Sequence, residues 1–414
     1  MVALEGTHPR DWTCMMKAPR LANLAGPGFR SNPYHFYARL RRENPVLQVK
    51  VPDGSTAWLI TRYDDALAAL KDKRLSKDIA NLNEKPPWVP PALQPLARNM
   101  LDLDDPDHAR LRTLVHKAFT PKLIETLRVS IETLTEDLIS AAKPRGRMDL
   151  IADLALPLPV IVISRMLGVP KHEQHKFHRW SSAIVSSQSS KIGALKALPR
   201  VFSFLRYIRR LVHLKSVQPA NDLTSALIQA DESGDKMSVN ELLAMIFLLL
   251  VAGHETTVNL IGNGMLALLT HPDQMSKLRD DPILVSSAIE EMLRFDSPVE
   301  MATERYTLES VQYSGTTIPA GSRIYVVIAS ANRDEQQFER ANDFDITRTS
   351  NRHLSFGMGS HYCLGAPLAR MEGQIAITAL LRRLPNLRLR IPADEIKWKS
   401  GLVLRGVKSL PVKF

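Results

Sequence analysis

A long apolar stretch in the second half of the chain sets the strongest limit on how the protein can fold. Ser238 and Glu241 have the spacing of a capping box, in which both side chains satisfy the first backbone N–H groups of a helix. Apolar residues then continue to Leu269, and Pro272 stops the helix. At 1.5 Å per residue the helix is about 48 Å long. Because it is apolar on all sides, we predict that it crosses the centre of a large helical protein.

The bulk composition supports a soluble protein with a large core. The chain has 414 residues, of which 44% are hydrophobic and 23% charged, as in ordinary globular proteins. The uninterrupted apolar run from Leu242 to Gly253 is shorter than the ~20 residues that span a bilayer. The first residues lack the pattern of a signal peptide, and Cys14 and Cys363 allow at most one disulfide. We therefore expect a soluble, cytoplasmic protein with no membrane span.

The formal net charge is +11, from 54 Lys and Arg against 43 Asp and Glu. The basic residues are spread along the chain, with only short clusters such as 206–210 and 382–383. A solvated basic surface explains such a distribution, and a basic docking face for an acidic protein partner is the sharper alternative.

The remaining patterns predict a mainly α fold with a minor β portion and no linker that would divide residues 1–414. Helical periodicity runs from about residue 105 to 300. Residues 77–100 hold five of the 27 prolines and predict a long irregular loop. Trp88 and the proline cluster indicate a mobile lid. Further helices are expected after Asn32-Pro33, from Asp281-Pro282 through Arg294, and after Cys363. The expected β elements are a hairpin of residues 46–51 and 56–63 turning at 52–54, strands within 308–328, and short strands that close the chain.

Cys363 is the first candidate for chemistry. It lies just before a helix whose first turn includes Pro367, so backbone N–H groups and the helix dipole should lower the pKa of its thiol. Gly357, Gly359 and Gly365 allow tight turns or a close approach of something flat. An inert buried cysteine remains an alternative. A nucleophilic cysteine assisted by His361 is less favoured, and zinc lacks a second nearby cysteine.

The spacing Phe356-x-x-Gly359-x-x-x-Cys363-x-Gly365, with His361 inside it, resembles the haem-binding signature of the cytochromes P450. The resemblance covers nearly the whole chain from about residue 30 and is weakest in residues 1–30, 77–100 and 170–215. It implies the cytochrome P450 fold in a single domain with an N-terminal extension. It also implies that Cys363 is the iron ligand of haem b.

Two further matches occur in the family's order. Glu291 and Arg294 match its E-x-x-R pair, and the segment Asn342–Arg348 matches the region whose arginine completes that cluster. By resemblance, Glu291, Arg294 and Arg348 form a structural charge cluster and take no part in the chemistry. Taken alone, a Glu and an Arg at this spacing are usually a solvated pair.

The central helix carries a third match, at residues 252–257. Ala252 and Gly253 are small enough to let a cofactor approach, and the Thr256 hydroxyl can bond to the carbonyl of Ala252 and bend the helix locally. A polar pair at a helix–helix contact is the alternative. By resemblance, Glu255 and Thr256 are the acid–alcohol pair of oxygen activation, in which Thr256 contacts the oxygen being reduced and Glu255 relays protons through water.

The haem propionates need cationic partners. By resemblance these are His108, Arg112, Arg305 and His361, while an ordinary surface charge is the alternative for each. Further predicted cofactor contacts come from Ala252, Gly253, Phe356, Gly357 and Gly365. The resemblance places Leu248, Ala252, Met301 and Leu402 in a substrate pocket.

The resemblance implies a monooxygenase of the soluble bacterial type. It would insert one oxygen atom from O2 into a hydrophobic organic molecule, by hydroxylation or epoxidation. Electrons would come from NAD(P)H through a reductase and an acidic ferredoxin or flavodoxin that docks on the Cys363 side. The chain would be a monomer with no nucleic-acid or membrane partner. A peroxide-driven peroxygenase, a haem sensor or carrier, and a basic nucleic-acid binder are alternatives, of which intact Glu255 and Thr256 disfavour the first two.

Overall fold

The protein is described here by a computed structural model covering residues 24–51, 55–82, 98–174, 176, 180, 191–231 and 234–414. Three predicted features lie outside these residues: the hairpin turn at 52–54, most of the 77–100 loop with Trp88, and Cys14.

The α-helices in chain order are α1 Pro27–Ser31, α2 Tyr34–Glu43, α3 Tyr63–Lys71, α4 Asp107–Ala118, α5 Pro121–Thr126, α6 Arg128–Ala142, α7 Pro157–Met166, α8 Lys191–Val217, α9 Leu223–Gln229, α10 Val239–Thr270, α11 Pro272–Asp280, α12 Val285–Phe295, α13 Ile328–Ala331 and α14 Ala366–Arg383.

Helix α10 is the predicted central helix, and the prediction is confirmed at both ends. The Ser238 hydroxyl accepts the N–H of Glu241 at 3.3 Å, and the Glu241 carboxylate accepts the N–H of Ser238 at 2.7 Å. The helix packs against α7, α12 and α14 and against the short π-helix Ile151–Ala155. By length and composition it could cross a membrane, but most of it is buried inside the protein, as in the core helix of a soluble fold.

The other predicted helices are also present. Pro33 is the N-cap of α2, and α14 begins three residues after Cys363. The helix expected from Pro282 starts as a 3₁₀ turn, Pro282–Leu284, and continues as α12. More than half of the structure is helical, which confirms the mainly α fold.

The strands are β1 Val46–Lys50, β2 Thr56–Ile60, β3 Leu75–Ser76, β4 Arg147–Asp149, β5 Arg305–Thr307, β6 Val311–Tyr313, β7 Thr316–Ile318, β8 Arg323–Val326, β9 Arg388–Leu389 and β10 Pro411–Lys413. The main sheet has five strands in the order β1-β2-β8-β5-β3. The predicted hairpin is confirmed, since β1 and β2 pair antiparallel with Val46 opposite Ile60, but β2 ends at Ile60 because Tyr63 begins α3. The β signals at 308–328 resolve into separate short strands, the first of which begins earlier, at Arg305.

The apolar core separates into a helical part and two parts next to the sheet. The largest cluster joins α4, α6, α7, α10, α12 and α14, while two smaller clusters lie on β1, β2, β3, β6, β7 and β8 and the helices α2 and α3. The loop between α13 and α14 connects the sheet side to the helical side. This loop contains residues 356–365, so it lies where the two parts of the core meet.

A hairpin near the end of the chain, residues 396–408, packs onto the central helix, and we call it the C-terminal hairpin. Trp398 pairs with Val407, and the Lys399 N–H donates to the carbonyl of Gly406 at 2.9 Å. A Cβ on Gly406 would lie 1.9 Å from Oδ1 of Asn259 on α10. Glycine is therefore needed here because the hairpin backbone touches a helix side chain.

Candidate active site

The loop that carries Cys363 is held in place by its own backbone. The N–H of Cys363 donates to the carbonyl of Phe356 at 2.8 Å, and the N–H of Gly357 donates to that of Leu354 at 2.8 Å. Gly357 and Gly359 have φ of +70° and +74°, which favour glycine. A Cβ on Gly359 would also lie 2.9 Å from the carbonyl oxygen of Leu70 in α3. The loop thus presents its cysteine on a backbone that is already ordered.

The environment of the Cys363 thiol differs from the expectation in one respect. The backbone N–H groups of Gly365 and Ala366 and the charge of Arg112 lower the pKa of the thiol, as predicted. Burial is the larger effect and raises the pKa above its ordinary value, because a thiolate loses hydration in this site. With the protein's own groups alone, the pKa of the Cys363 thiol is therefore raised, and the prediction that it is lowered is wrong. A metal cation at the sulfur would supply the missing stabilisation of the thiolate.

A cluster of basic side chains, of which His108 and Arg305 are buried and Arg112 and His361 half-buried, lies next to the cysteine. The rings of His108 and His361 are 4.1 Å apart, and Arg112 donates to the carbonyl of Tyr362 at 2.6 Å. Burial, with the charge of Arg305 among the further causes, lowers the pKa of His361 to about 3. The structure thus brings all four predicted propionate partners close to residues 361–363. The ring of His361 packs on that of His108, and this contact gives no support to the alternative in which His361 acts as a base for the thiol.

Two of these basic groups carry a buried nitrogen that no other described residue satisfies. Among the described residues, Nε2 of His108 and Nε of Arg305 are buried and have no hydrogen-bond partner. The two side chains are 2% and 6% exposed. Buried polar atoms without partners are destabilising unless a further group satisfies them. An anionic group fits this place, as the propionates of a haem would.

Sequence reasoning missed one member of this cluster, Lys77. Its ammonium is buried and donates to the Thr303 hydroxyl and the Glu304 carbonyl at 2.6 and 2.7 Å. Burial and the neighbouring Arg305 lower the pKa of Lys77 to about 8. It lies at the start of the proline-rich loop, where a single lysine has no motif that could have revealed it.

The central helix turns the predicted acid–alcohol pair toward two different surroundings. The Thr256 hydroxyl donates to the carbonyl of Ala252 at 2.9 Å, which confirms that predicted contact, although α10 continues unbroken. Ala252 and Gly253 are exposed in the middle of an otherwise buried helix, and Thr256 is half-buried. Glu255 is buried and forms an ion pair with Lys399 of the C-terminal hairpin. That ion pair was not predicted, because 144 residues separate the two side chains.

The predicted pocket residues separate into two groups. Leu248 and Leu402 are half-buried and Ala252 is exposed, as wall residues of an open site should be. Met301 is fully buried in the apolar cluster with Tyr37 and Tyr325, so its placement in the substrate pocket is wrong for this structure. Its backbone N–H bonds to the C-terminal hairpin, which holds the side chain in the core.

The predicted charge cluster is confirmed. Both side-chain oxygens of Glu291 accept hydrogen bonds from Arg294 at 2.8 Å, and Nε of Arg348 donates to Glu291 at 3.1 Å. Glu291 and Arg294 are fully buried. Arg294 also donates to the carbonyls of Asn332, Ala341 and Asp343. The cluster ties α12 to the segment before the cysteine loop and touches no candidate catalytic group.

The donor set indicates what kind of metal group the site can hold. In the described part of the chain, no group of three or more His, Cys, Asp or Glu could hold a metal ion. Cys363 therefore offers a single sulfur ligand. A metal at this site must bring most of its own ligands, as the iron of a haem does. The basic cluster and the small residues of the central helix fit the propionates and face of such a group.

Comparisons with known proteins give a consistent picture. The sequence model of the family described as Cytochrome P450 matches residues 207–282 and 283–405. The chain is 43% identical over 394 residues to the polyketide biosynthesis cytochrome P450 PksS of Bacillus subtilis, covering 94% of this chain and 97% of that protein. It is 40% identical over 403 residues to the 6-deoxyerythronolide B hydroxylase of Saccharopolyspora erythraea, covering 94% and 98%.

Solved structures agree with the sequence comparison. The structure of PksS superposes with a TM-score of 0.87 at 43% identity, covering 94% of this chain and 98% of the other. The myxobacterial cytochrome P450 CYP267B1, solved in complex with myristic acid, gives a TM-score of 0.87 at 41% identity, covering 95% and 98%.

The buried charge cluster generates a stability prediction. Glu291→Gln leaves Arg294 and Arg348 without their carboxylate, so the free energy of unfolding should fall by about 3–5 kcal/mol. Denaturant unfolding measures this change. Glu43→Gln, in an exposed pair with Arg39, is the matched control and should lose under ~1 kcal/mol. Equal losses of unfolding free energy in the two variants would contradict a stabilising role of the buried charge cluster.

Proposed function

Since the chain belongs to the cytochrome P450 family and is a haem-thiolate monooxygenase, we propose that Cys363 is its iron ligand and that Glu255 and Thr256 deliver protons. The enzyme binds haem b and O2, takes electrons from NAD(P)H through redox partners, and oxidises a hydrophobic substrate. One substrate C–H bond, one O2, two electrons and two protons give one C–OH group and one water. The bound haem supplies the oxidation chemistry, and the thiolate donates electron density to the iron.

One observation supports the residue assignments most directly. Cys363 lies beside two buried side-chain nitrogens, Nε2 of His108 and Nε of Arg305, that have no hydrogen-bond partner among the described residues. The family's ligand and its propionate partners are expected in this arrangement. The four residues His108, Arg112, Arg305 and His361 would hold the propionates, while Phe356, Gly357, Gly365, Ala252 and Gly253 would contact the macrocycle.

The chain's own residues have distinct tasks in the reaction. The ordered loop holds the sulfur of Cys363 in one position, so little reorganisation is needed during turnover. Thr256 offers a hydroxyl on the exposed side of the central helix. Glu255 lies one residue away and reaches the C-terminal hairpin, at the boundary with solvent. Together they would carry a proton from solvent to the reacting oxygen.

A spectroscopic experiment tests the assignment of the ligand. The reduced, CO-bound protein should show the strongly red-shifted Soret band of haem-thiolate, and Cys363→Ala should lose that band and the activity together. Ser360→Ala is the matched control, because Ser360 is exposed on the same loop. A Cys363→Ala protein that kept the red-shifted band would refute the assignment.

We further propose that the substrate is a large polyketide-derived molecule, such as a macrolactone, made in secondary metabolism. PksS is a polyketide biosynthesis enzyme and the Saccharopolyspora relative is a hydroxylase of 6-deoxyerythronolide B. Leu248, Ala252 and Leu402 offer apolar surface on the central helix and the C-terminal hairpin. Such a wall recognises substrate by apolar contact, and hydroxylation or epoxidation would follow at the carbon nearest the iron.

Titration of the ferric protein tests this substrate class. 6-Deoxyerythronolide B should shift the Soret band toward the high-spin form at lower concentration than myristic acid does. Leu402→Ala removes about 1.5 kcal/mol of apolar contact, so the macrolactone Kd should rise by about tenfold. Leu308→Ala is the control, because Leu308 is exposed beside the sheet. Tighter binding of myristic acid, with no effect of Leu402→Ala, would contradict the proposal.

We propose that an acidic ferredoxin, or a flavodoxin, docks on the Cys363 side of a monomeric, cytoplasmic, single-domain enzyme spanning residues 1–414. Lys71 lies beside the cysteine loop, since its Cα is 3.5 Å from the Cβ position of Gly359. Arg352 is exposed just before the same loop. The net charge of +11 adds a longer-range attraction for an acidic partner.

Charge reversal of this face gives a kinetic test. The double variant Lys71→Glu with Arg352→Glu should slow ferredoxin reduction of the haem by about tenfold at low salt. The difference from the unaltered protein should shrink at about 0.5 M salt, where charges are screened. Stopped-flow measurements with a [2Fe–2S] ferredoxin report both rates. Lys397→Glu, exposed on the C-terminal hairpin, should leave the rate unchanged. Reduction rates independent of salt would exclude electrostatic docking.

A further inference from the structure

The ion pair between Glu255 and Lys399 has a second anchor on the central helix. Nζ of Lys399 also lies 3.2 Å from Oδ1 of Asn259. Glu255 and Asn259 are four residues apart, so they lie on the same face of α10. One ammonium therefore bridges a carboxylate and an amide on successive turns. This geometry limits where the Glu255 carboxylate can point.

The backbone of Lys399 is itself tightly placed. Its N–H donates to the carbonyl of Gly406 at 2.9 Å, and Gly406 lies directly against the amide of Asn259. Trp398, the preceding residue, is buried with the guanidinium of Arg405 3.8 Å above its ring. The Lys399 side chain therefore extends from a backbone that hydrogen bonding and packing hold in one place.

Burial places the pair at the boundary between solvent and the interior. The Lys399 side chain is 28% exposed, whereas that of Glu255 is 11% exposed. An ion pair that reaches solvent contributes little to the free energy of unfolding. Stability alone is therefore a weak reason for a lysine here. Its larger effect is to fix which way a carboxylate next to Thr256 is turned.

We propose that Lys399 is a positioning residue for proton delivery. It holds the Glu255 carboxylate on the hairpin side of the central helix, where protons arrive from solvent. From there the carboxyl group can pass a proton to the side of Thr256. The proposal rests on the proposed roles of Glu255 and Thr256. Productive turnover uses two electrons and two protons for each O2, which becomes one hydroxyl group and one water. In failed turnover, two electrons and two protons reduce the O2 to hydrogen peroxide, and the substrate is not oxidised.

The test replaces Lys399 by methionine, which keeps the length of the side chain and removes its charge. Lys399→Met should lower kcat with NAD(P)H and ferredoxin by about tenfold, with KM nearly unchanged, because proton delivery is impaired. The share of electrons recovered as peroxide should rise, and the solvent deuterium isotope effect should increase. These quantities are measured with 6-deoxyerythronolide B, with myristic acid and without added substrate.

A peroxide-driven assay separates proton delivery from a structural defect. Hydrogen peroxide brings oxygen, electrons and protons together, so Lys399→Met should turn over nearly as well as the unaltered enzyme with this oxidant. Lys399→Arg keeps the charge and should recover most of the reductant-driven rate. Lys397→Met, an exposed lysine of the same hairpin, is the matched control. The melting temperature and the reduced CO spectrum should be the same in all variants.

Several outcomes would overturn the inference. One is a Lys399→Met enzyme whose kcat and peroxide share equal those of Lys397→Met. Another is equal loss of the reductant-driven and peroxide-driven rates together with a lower melting temperature, which would make Lys399 a structural tether only. Glu255→Gln distinguishes this inference from the proposed function. If Glu255→Gln is itself as fast as the unaltered enzyme, the proton-relay role fails; if it is slow while Lys399→Met is fast, only the role of Lys399 fails.

Discussion

The structure depends on burying one apolar helix along almost its whole length while leaving its middle open. Helix α10 is covered by α7, α12 and α14. Around Ala252 and Gly253 the described part of the chain leaves it uncovered, and among those residues a Cβ on Gly253 would have only Ile163, at 3.9 Å, within contact distance. Exposed small residues in the centre of a buried helix create space for a flat group. The cysteine loop and the basic cluster would supply the ligand and the propionate partners of a group bound in that space.

Buried charge is the second constraint, and it determines how the outer parts of the chain are tied to the site. Arg30 and Glu300 are fully buried and paired at 2.9 Å, and the Tyr37 hydroxyl donates to the same carboxylate. Arg30 also donates to the carbonyl of Gly401 at 2.6 Å. Because a buried charge without partners is strongly destabilising, this network fixes the segment before α2 to the C-terminal hairpin. Arg30 was expected to end a poorly matched extension, yet it is a core residue.

Sequence patterns revealed those features that depend on the spacing of residues close together along the chain. The capping box at Ser238, the spacing around Cys363 and the pair of Glu291 and Arg294 are all short-range signals, and the structure confirms the contacts of the first and third. The four basic residues around Cys363 were found only through the family resemblance. Periodicity could not reveal that Met301 is held in the core, because its position follows from a hydrogen bond to a distant hairpin. The net rise in the thiol pKa also escaped local reasoning, since burial is a property of the folded site.

Lys77 and Lys399 show why long-range partners are the part that a single sequence hides. Each is one of 54 basic residues, and neither lies in a recognisable motif. Their surroundings are formed by segments more than a hundred residues away. A lysine on a surface contributes little, whereas the same lysine bridging two buried acceptors limits the geometry of both. The C-terminal hairpin carries Lys399 and Leu402 three residues apart, so one element reaches both the acid of the central helix and the apolar wall of the site. Movement of this hairpin would alter both contacts together, which would link the proposed substrate wall to the proposed delivery of protons.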